Sequence, residues 1–251
     1  MNKRAVSQWN KNAKVWDKLQ GEEGDINHKL FIDPAIVKLL GDIAEKNILD
    51  AGCGNGYWTR RLAKKAKKVT GIDFSSDLLK IAKNKNNPPN TEFLMMDAGG
   101  NLDFPSIKFD IILSSMVLHY VHDLSKTSKE FKRVLKPGGI AVIVVQHPIY
   151  QLYFRAQDKA GLKSDIFRKT AGYFERIALP QLTFFGKAVF NINSRPLEDY
   201  ITPFLDNGFV LSGFVEPEMP KELVKIYPKY KRLREVPRVV ILKFQKLHVS
   251  V

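Results

Sequence analysis

The sequence predicts an α/β fold: a doubly wound, mostly parallel sheet of seven strands with helices on both faces. First, short apolar segments alternate with segments of helical periodicity over residues 45–147, which is typical of right-handed β-α-β units in an open sheet. Second, Ile140–Gln146 is almost entirely apolar, as expected for a strand buried on both faces. Third, a glycine-rich turn joins the first strand to a helix.

The periodicity of apolar residues assigns the elements of this region in chain order. Strands are expected at Lys46–Asp50, Val69–Asp73, Thr91–Asp97, Phe109–Ser115 and Ile140–Gln146. Helices are expected at Tyr57–Ala66, Ser76–Asn86 and Leu124–Leu135. The motif Lys136-Pro-Gly-Gly139 is a strong breaker and is expected to stop the last of these helices.

The flanking segments complete a single predicted domain over residues 1–251. Residues 1–44 are expected to form a helical N-terminal cap over the core at 45–147. Residues 148–195 are rich in aromatic side chains and interrupt the alternation, so we interpret them as an insertion after the fifth strand, packed over one edge of the sheet. Residues 196–251 are expected to supply a helix that ends at Asp206 and the closing strands Phe209–Val215 and Arg238–Phe244.

The bulk composition restricts the class of protein. The chain is 44% hydrophobic and 26% charged, which is ordinary for a soluble globular protein. It has no apolar stretch of the kind that forms a secretory signal, and its longest apolar run, Ile140–Val145, is too short to span a bilayer. The single cysteine excludes an intramolecular disulfide and fits a reducing compartment. We therefore expect a cytoplasmic protein that does not enter the membrane.

The glycine turn has the composition of a ligand cradle. Glycines allow a sharp turn and a close approach of the backbone to a ligand, and open α/β sheets bind ligands at the carboxyl ends of their strands. A dinucleotide-binding turn has the pattern G-x-G-x-x-G. Here the third glycine, Gly56, comes one residue early, and Tyr57 stands where that pattern has glycine.

Three acidic residues stand at the ends of consecutive predicted strands. Asp50 precedes the glycines, and its carboxylate would repel a pyrophosphate but attract an ammonium or a sulfonium. Asp73 ends the second strand, where a carboxylate can accept from both hydroxyls of a ribose. Asp97 ends the third strand and could accept from an exocyclic adenine amine. This set suits a ligand that has an amine, a ribose and an adenine but no phosphate.

Four motifs then resemble, in order, those of class I S-adenosylmethionine-dependent methyltransferases. They are Ile48-Leu-Asp-Ala-Gly-Cys-Gly-Asn-Gly56, Gly71-Ile-Asp-Phe-Ser75, Met96-Asp-Ala98 and Arg133-Val-Leu-Lys-Pro-Gly-Gly139. The segment Phe109–Tyr120 resembles the branch of that family that acts on small molecules, and so do two tail segments, Arg195–Tyr200 and Asn207–Pro217. The resemblance implies methyl transfer from S-adenosyl-L-methionine to a small-molecule acceptor, with S-adenosyl-L-homocysteine as product.

The resemblance also implies which residues bind the cofactor. The Gly52–Gly56 loop would hold the methionine part, Asp73 the ribose and Asp97-Ala98 the adenine, while Ser115-Met116 would line the methionine side. The full set of expected cofactor-binding residues is Asp50, Ala51, Gly52, Cys53, Gly54, Gly56, Asp73, Phe74, Asp97, Ala98, Ser115 and Met116. His28 and Tyr57 are further candidates for the region of the cofactor's carboxylate, whereas Trp9 and Trp16 are expected to pack rather than to bind ligand.

Methyl transfer is an in-line displacement at a sulfonium carbon, and alignment of the nucleophile supplies much of the rate. A base is needed only if the nucleophile must lose a proton. His147 and His119 follow strand ends and are candidate bases, with packing or a turn as the alternative role of each. No cluster of His, Cys and carboxylates has the spacing of metal ligands, so no metal site is expected.

The sequence is compatible with more than one kind of acceptor. An aromatic pocket formed by the insertion is one hypothesis, and an ordinary extension of the core is the other; the pocket would use Tyr150, Tyr153, Tyr173, Phe184 and Phe185. The formal net charge of +14 keeps a tRNA or other RNA methyltransferase as an alternative, with nucleic acid as a less favoured partner. A protein that binds S-adenosylmethionine without catalysis is the third. The sequence does not indicate an oligomeric state.

Overall fold

A computed structural model describes residues 3–152, 172–182 and 189–248. Seven helices are numbered in chain order: α1 (Lys3–Gln20), α2 (Asp33–Leu40), α3 (Tyr57–Ala63), α4 (Ser76–Lys83), α5 (Leu124–Val134), α6 (Glu198–Asp206) and α7 (Lys221–Ile226). Nine strands accompany them: β1 (Asn47–Ala51), β2 (Lys68–Asp73), β3 (Thr91–Met95), β4 (Phe109–Ser115), β5 (Leu135–Gln146), β6 (Ile177–Leu182), β7 (Val189–Ser194), β8 (Phe209–Val215) and β9 (Val239–Lys246). Short π or 3-10 turns occupy His28–Ile32, Leu118–Tyr120 and Pro228–Glu235.

Seven of these strands form one sheet in the order β3-β2-β1-β4-β5-β9-β8. The five strands from β3 to β5 are parallel, and β9 pairs antiparallel with both β5 and β8, so that β8 runs in the same direction as the first five. The predicted doubly wound, mostly parallel sheet of seven strands is therefore confirmed. The reversal of strand order beside β1 opens a crevice at the carboxyl ends of β1 and β4, which is where this class of sheet binds ligands.

The two faces of the sheet have separate hydrophobic cores because successive side chains of a strand point to opposite faces. Ile48 of β1 packs in the core beneath α2 and α3, whereas the next residue, Leu49, packs in the core beneath α5 and α6. Along β5, Val142 and Ile143 divide in the same way, and all four side chains are fully buried. Burial on both faces explains why these segments are almost entirely apolar.

The start of β5 differs from the sequence prediction. The helix before it stops at Val134, but the strand begins at once with Leu135 and contains the proline and the glycines that were expected to separate the two elements. A register shift accommodates the extra residues, since Phe109 of β4 pairs with Leu135 while Ile111 pairs with Ile140. Strands tolerate proline and glycine at such irregularities, where ladder hydrogen bonds are interrupted.

The described part of the insertion lies elsewhere than predicted. β6 and β7 form a separate antiparallel hairpin, and β7 packs on α1 and on the 3-10 turn that follows β4, instead of covering an edge of the sheet. Phe190 of β7 explains this placement, because its ring contacts Trp9 of α1 at 4.2 Å between centroids and Tyr120 at 6.4 Å. Tyr153, Phe184 and Phe185, named in the pocket hypothesis, lie outside the described residues.

The N-terminal helix α1 is fixed across the carboxyl ends of the strands by polar contacts. Its Asn10 Oδ1 accepts from Ser75 Oγ at 2.6 Å, and Gln8 Oε1 accepts from the backbone nitrogen of Asn191 in β7 at 3.2 Å. Asp17 accepts from Asn55 Nδ2 at 2.8 Å. The helix therefore joins the loop after β1, the turn after β2 and the hairpin.

Within the described part of the chain, no helix combines the length and the apolar character needed to cross a membrane.

Replacement of Phe204 by alanine tests the core between α6 and the sheet. The Phe204 ring is fully buried and stacks on Phe244 with centroids 4.4 Å apart. We expect Phe204→Ala to lower the free energy of unfolding by about 3–5 kcal/mol, because it leaves a cavity. Urea unfolding followed by circular dichroism measures the effect. Phe214→Ala, at a ring that is 44% exposed, is the matched control; equal losses for the two variants would contradict the assignment.

Candidate functional site

A cavity of about 350 Å³ lies at the carboxyl ends of β1, β2 and β4, beneath α1. Its volume is within the range of small-ligand pockets. The described residues that line it are Ala5, Val6, Trp9, Trp16, Gln20, His28, Asp50, Gly52, Cys53, Gly54, Asn55, Tyr57, Trp58, Asp73, Phe74, Leu78, Asp97, Ala98, Gly99, Ser115, Met116, Val117, Tyr120, Val121, His122, Asp123, Lys126 and Asn193.

The glycine loop forms the floor of this cavity. Gly52 has φ of +87° and Gly54 has φ of +55°, a region that side chains with a Cβ rarely adopt. A Cβ on Gly52 would also overlap the side chain of Val117. The backbone nitrogens of Gly52 and Cys53 both donate to the carbonyl of Ile72 at 2.8 Å, which ties the loop to β2. The glycines are therefore needed for the turn itself.

Asp73, the last residue of β2, holds the loop from the other side. Its Oδ2 accepts from the backbone nitrogen of Gly54 at 2.9 Å, and its Oδ1 accepts from that of Ser75 at 2.8 Å. The carboxyl is buried, and burial raises its pKa to about 6 even though these backbone donors oppose the shift. Each oxygen still has a lone pair for a further donor.

Asp50 of β1 lies deeper in the same wall. Its Oδ2 accepts from Thr59 Oγ1 at 2.6 Å, and the residue is only 1% exposed. Burial raises the pKa of Asp50 to about 7, and the charge of Asp73 adds to the shift, while the bond from Thr59 opposes it. A ligand cation or hydrogen-bond donor that reached this carboxylate would relieve the cost of its burial.

Asp97 lies in the turn after β3 rather than at the strand end, because the strand stops at Met95. Its Oδ1 accepts from the backbone nitrogen of Gly99 at 2.9 Å, and the residue lines the cavity together with Ala98 and Phe74. The three predicted acids thus share one cavity.

Ser115 and Met116 supply the wall at the end of β4. Met116 has φ of +61°, which is unusual for a residue with a side chain. Two polar atoms of the cavity lining are buried and have no partner among the described residues: the hydroxyl of Ser115 and the indole Nε1 of Trp58. Both are able to donate a hydrogen bond, and buried donors of this kind usually have a partner.

Two residues of the predicted cofactor set, Ala51 and Gly56, do not line the cavity. Ala51 is fully buried in the core of the α5 side, and Gly56 precedes α3 with φ of +78°. Cys53 does line the cavity, but burial raises the pKa of its thiol well above the usual value. The thiol is therefore not a reactive nucleophile at neutral pH.

The two histidines proposed as bases do not line the cavity. His119 is 1% exposed, and burial lowers its pKa to about 3, so it stays neutral in the core. His147 Nε2 contacts Glu216 Oε1 at 2.9 Å, and its Nδ1 accepts from the backbone nitrogen of Ile149 at 3.1 Å. Both residues follow strand ends as predicted, but their side chains turn into the core and toward the β8 side.

The pocket hypothesis also named Tyr150 and Tyr173, and neither lines the cavity. The Tyr150 ring is buried under the guanidinium of Arg238 at 5.0 Å. The Tyr173 hydroxyl accepts from the backbone nitrogen of Leu197 at 3.1 Å. The aromatic wall is formed instead by residues that were expected only to pack.

That wall consists of Trp9, Trp16 and Tyr120, which all line the cavity. The ring of Trp9 stands edge-on to the rings of Trp16 and Tyr120, each with centroids 5.3 Å apart. The two tryptophans are seven residues apart, which puts them on one face of a helix. The sequence therefore showed that the two tryptophans share a face of α1. The spacing alone does not distinguish a face that packs in the core from a face that lines a ligand site.

The donor set of the cavity matches a nucleoside that carries an amino acid. Carboxylates at Asp50, Asp73 and Asp97 suit hydroxyls, an amine and a positive charge, whereas the unpartnered donors of Ser115 and Trp58 suit a carboxylate. Within the described ranges, no group of three His, Cys, Asp or Glu residues is arranged to hold a metal ion.

Comparisons with known proteins agree with this geometry. Residues 49–143 match a family model described as a methyltransferase domain. A demethylmenaquinone methyltransferase from Lactococcus lactis subsp. lactis (strain IL1403) is 38% identical over 127 residues, which are 48% of this chain and 50% of the relative. One from Staphylococcus aureus (strain MRSA252) is 32% identical over 154 residues, which are 57% of this chain and 64% of that protein. The chain thus spans between half and two thirds of these relatives.

A crystal structure from Listeria monocytogenes, described as that of an S-adenosylmethionine-dependent methyltransferase, superposes with a TM-score of 0.71 at 27% identity. The match covers 86% of this chain and 96% of that one. Residues 49–143 therefore carry a methyltransferase domain, and the chain has the fold of a class I S-adenosylmethionine-dependent methyltransferase, as its motifs predicted. S-adenosylmethionine is the cofactor of this enzyme class and of this chain.

Replacement of Gly52 by alanine tests the loop. Gly52→Ala combines an unfavourable φ with a clash against Val117, so we expect S-adenosylhomocysteine binding, measured by calorimetry, to weaken by at least about 100-fold. Gly41→Ala is the matched control, since Gly41 has φ of +69° but a Cβ there would meet nothing within 4 Å. The double change Gly52→Ala, Val117→Ala should recover part of the affinity. Unaltered binding by Gly52→Ala alone would refute the clash.

The buried carboxyl of Asp50 predicts a pH dependence of stability. Its pKa is about 7 in the folded protein and 3.8 when exposed, so the folded state holds the proton more tightly. The stability due to this group is present below pH 4 and is lost as the pH rises toward 7. Asp50→Asn should therefore raise the free energy of unfolding at pH 8 by on the order of 2 kcal/mol relative to its effect at pH 4.

Asp110→Asn is the control, and its effect on the free energy of unfolding should depend on pH in the opposite direction. Burial alone would raise the pKa of Asp110, but hydrogen bonds from the backbone nitrogen of Asn47 and from Lys136 outweigh it and lower the pKa. This variant should lose stability at pH 8 relative to pH 3. Denaturant unfolding at each pH measures both variants, and a pH-independent effect of Asp50→Asn would contradict the burial argument.

Proposed function

We propose that this chain transfers a methyl group from S-adenosylmethionine to a small, mainly apolar acceptor that carries a planar ring. The observation that carries the proposal is the division of the cavity into two walls. One wall has the glycine loop and the three carboxylates. The second wall, formed by α1 and the turn after β4, has the rings of Trp9, Trp16 and Tyr120.

The polar wall suits the cofactor. In the proposed arrangement Asp73 accepts from the ribose hydroxyls, Asp97 from the adenine amine, and Asp50 faces the positively charged end of the methionine part. The unpartnered donors of Trp58 and Ser115 serve the methionine carboxylate. The bound cofactor supplies an activated methyl group on a sulfonium, and the chain's own contribution is to hold the acceptor in line with it and to exclude water.

The aromatic wall suits the acceptor. Ring faces and edges pack well on a planar apolar molecule. The relatives from Lactococcus and Staphylococcus are named for demethylmenaquinone, a small molecule rather than a nucleic acid or a protein. By analogy we propose a quinol-like or phenol-like acceptor for this chain.

An RNA acceptor has less support. Arg60 and Arg61 belong to the most prominent basic run, but both bond within the protein, to the carbonyl of Asn55 at 2.9 Å and to Asp33 at 3.1 Å. The roof formed by α1 and the hairpin favours a compact acceptor over a nucleotide in a polymer. A role in binding without catalysis has no specific support in the cavity.

Methyl-labelled S-adenosylmethionine tests the proposal. We expect label to enter the organic-soluble fraction of a cell extract and a panel of naphthols and phenols, and not total tRNA or protein. If the label entered tRNA with a steep salt dependence, the RNA alternative would replace this one. If calorimetry found no cofactor binding, the proposed function would fail entirely.

Tyr120→Leu tests the aromatic wall. The ring lines the cavity and contacts Trp9 edge-on, so its loss should raise the KM for the accepted naphthol by roughly 3- to 10-fold. The Kd for S-adenosylhomocysteine should change little. Phe174→Ala, at a ring that is 76% exposed, is the control and should alter neither. An unchanged KM in Tyr120→Leu would remove this residue from the acceptor site.

A further inference from the structure

A buried cluster of charged and polar groups borders the cavity between the short turn before α2 and the start of α3. At its centre is the carboxylate of Asp33, whose side chain is 1% exposed. It accepts from the hydroxyl of Tyr57, from Arg61 NH1 at 3.1 Å and from His28 Nδ1 at 2.9 Å. None of these contacts is required by the cofactor site described above.

The contact with Asp33 sets the tautomer of His28. A carboxylate accepts hydrogen bonds and has no proton to donate, so Nδ1 of the imidazole must carry the hydrogen. In the neutral ring the lone pair then lies on Nε2. The backbone nitrogen of His28 donates to Asp25 Oδ1 at 2.9 Å, which fixes the residue further. The imidazole is thus held in one orientation, as carboxylates hold catalytic histidines elsewhere.

The remaining ring nitrogen, Nε2, is on a residue that lines the cavity. His28 is a lining residue, its side chain is 10% exposed, and its Nε2 has no hydrogen-bond partner among the described residues. The charged and titratable groups that surround the ring are Asp25 on its own loop, Asp33 on α2, and Tyr57 and Arg61 on α3. Arg61 balances the charge of Asp33, so the pair with His28 is close to neutral when the imidazole is uncharged.

We infer that His28, positioned by Asp33, is the base that removes a proton from the hydroxyl of the phenol-like or quinol-like acceptor. This inference rests on the proposed function. An unprotonated Nε2 accepts a hydrogen bond, which suits an acceptor hydroxyl and not the cofactor's carboxylate. In the proposed arrangement the carboxylate of the cofactor already accepts from Ser115 and Trp58.

The other histidines of the described chain are less suited to act as the base. His119 and His147 do not line the cavity, and His122 lines it at the exposed rim, where water solvates its ring. A base works best where it is oriented and partly shielded from solvent. Within the described residues His28 meets both conditions.

The proton of the acceptor O–H passes to Nε2 of His28 while the acceptor oxygen, or the ring carbon that shares its charge, forms a bond to the methyl carbon. The bond from that carbon to sulfur breaks, and its electron pair stays on sulfur as a neutral thioether. The imidazolium next to Asp33 then releases its proton to water. For reaction at carbon, the ring proton displaced by the methyl group also leaves to water and the oxygen takes a proton back from water, so that one proton is released overall.

The decisive variant is His28→Gln, in which the amide can still donate to Asp33 but cannot take up a proton. With labelled S-adenosylmethionine and 1-naphthol, the single-turnover rate at saturating cofactor should fall by about 100-fold or more. The acid limb of the wild-type pH–rate profile, which reports ionisation of the base, should disappear. His248→Gln, at an exposed histidine outside the cavity, is the matched control and should retain both rate and profile.

A spectroscopic readout separates a base from a merely structural residue. 4-Nitrophenol absorbs at different wavelengths when neutral and when ionised. In complex with S-adenosylhomocysteine, wild-type protein should bind it in the ionised form at a pH where the free phenol is mostly neutral, and His28→Gln should bind it neutral. Thermal unfolding of the variant within a few degrees of wild type verifies that it is folded.

Each of the other possible results of these experiments would contradict one part of the inference. Equal rates and pH profiles for wild type and His28→Gln would overturn the base while leaving methyl transfer intact. A large loss of S-adenosylhomocysteine affinity with an unchanged single-turnover rate would make His28 a cofactor ligand instead. If wild-type protein bound the cofactor but neither bound nor methylated any phenol or naphthol, the acceptor class would be wrong. If it did not bind the cofactor, the proposed function itself would fail.

Discussion

The carboxylate of Asp73 is the interaction on which the cavity depends. One oxygen bonds to the glycine loop after β1 and the other to the turn before α4. The second contact places Ser75, whose hydroxyl caps α4 through the nitrogen of Leu78 and also donates to Asn10 of α1. The carboxylate of Asp73 therefore positions the glycine loop and the turn before α4 directly, and α1 through Ser75. Burial raises its pKa, so the cavity is assembled around a carboxylate that a hydroxyl-bearing ligand would stabilise.

The sequence predicted the sheet and the acids well because both depend on local patterns. Strands buried on two faces need continuous apolar runs, and polar residues at their ends, such as Asp50 and Asp73, stand out against that background. The start of β5 was not predictable in this way. Pro137 and Gly138 break helices and strands alike in isolation, and only pairing with β4 at a shifted register keeps them in the sheet.

The aromatic wall was missed for a different reason, and of the Asp33 cluster only His28 and Tyr57 were named from the sequence, as candidates for the region of the cofactor's carboxylate. Trp9 meets Phe190 only because α1 crosses the strand ends beside β7, and no periodicity reports a contact between residues so far apart along the chain. His28 has an ordinary neighbourhood in sequence, and its relation to Tyr57 and Arg61 arises when α2 and α3 pack on the same face. His119 and His147 drew attention because they follow strands, but a strand end does not fix the direction of a side chain.

Some of the Lys and Arg side chains behind the large positive charge form hydrogen bonds within the fold. Arg133 donates to the carbonyls of Leu102 and Phe104 at 2.7 Å, and Lys246 Nζ donates to those of Lys132 and Leu135 at the end of α5. Lys246 thereby neutralises the negative end of α5 and satisfies carbonyls there, whereas Arg133 ties α5 to the loop between β3 and β4. Net charge is therefore a poor guide to partners in this chain, since several of its cations have structural bonds.

The fastening of α1 has a consequence for the timing of the catalytic cycle. Four side-chain hydrogen bonds hold the helix to the core and the hairpin, through Asn10, Gln8 and Asp17, the last shared by Asn55 and Lys85. At about 0.5–1.5 kcal/mol each, they make displacement of the helix a rare event on the molecular timescale, but far less costly than unfolding. A ligand that leaves past α1 must wait for that event. The dwell time of spent cofactor is then a property of the roof, separate from the speed of the chemistry beneath it.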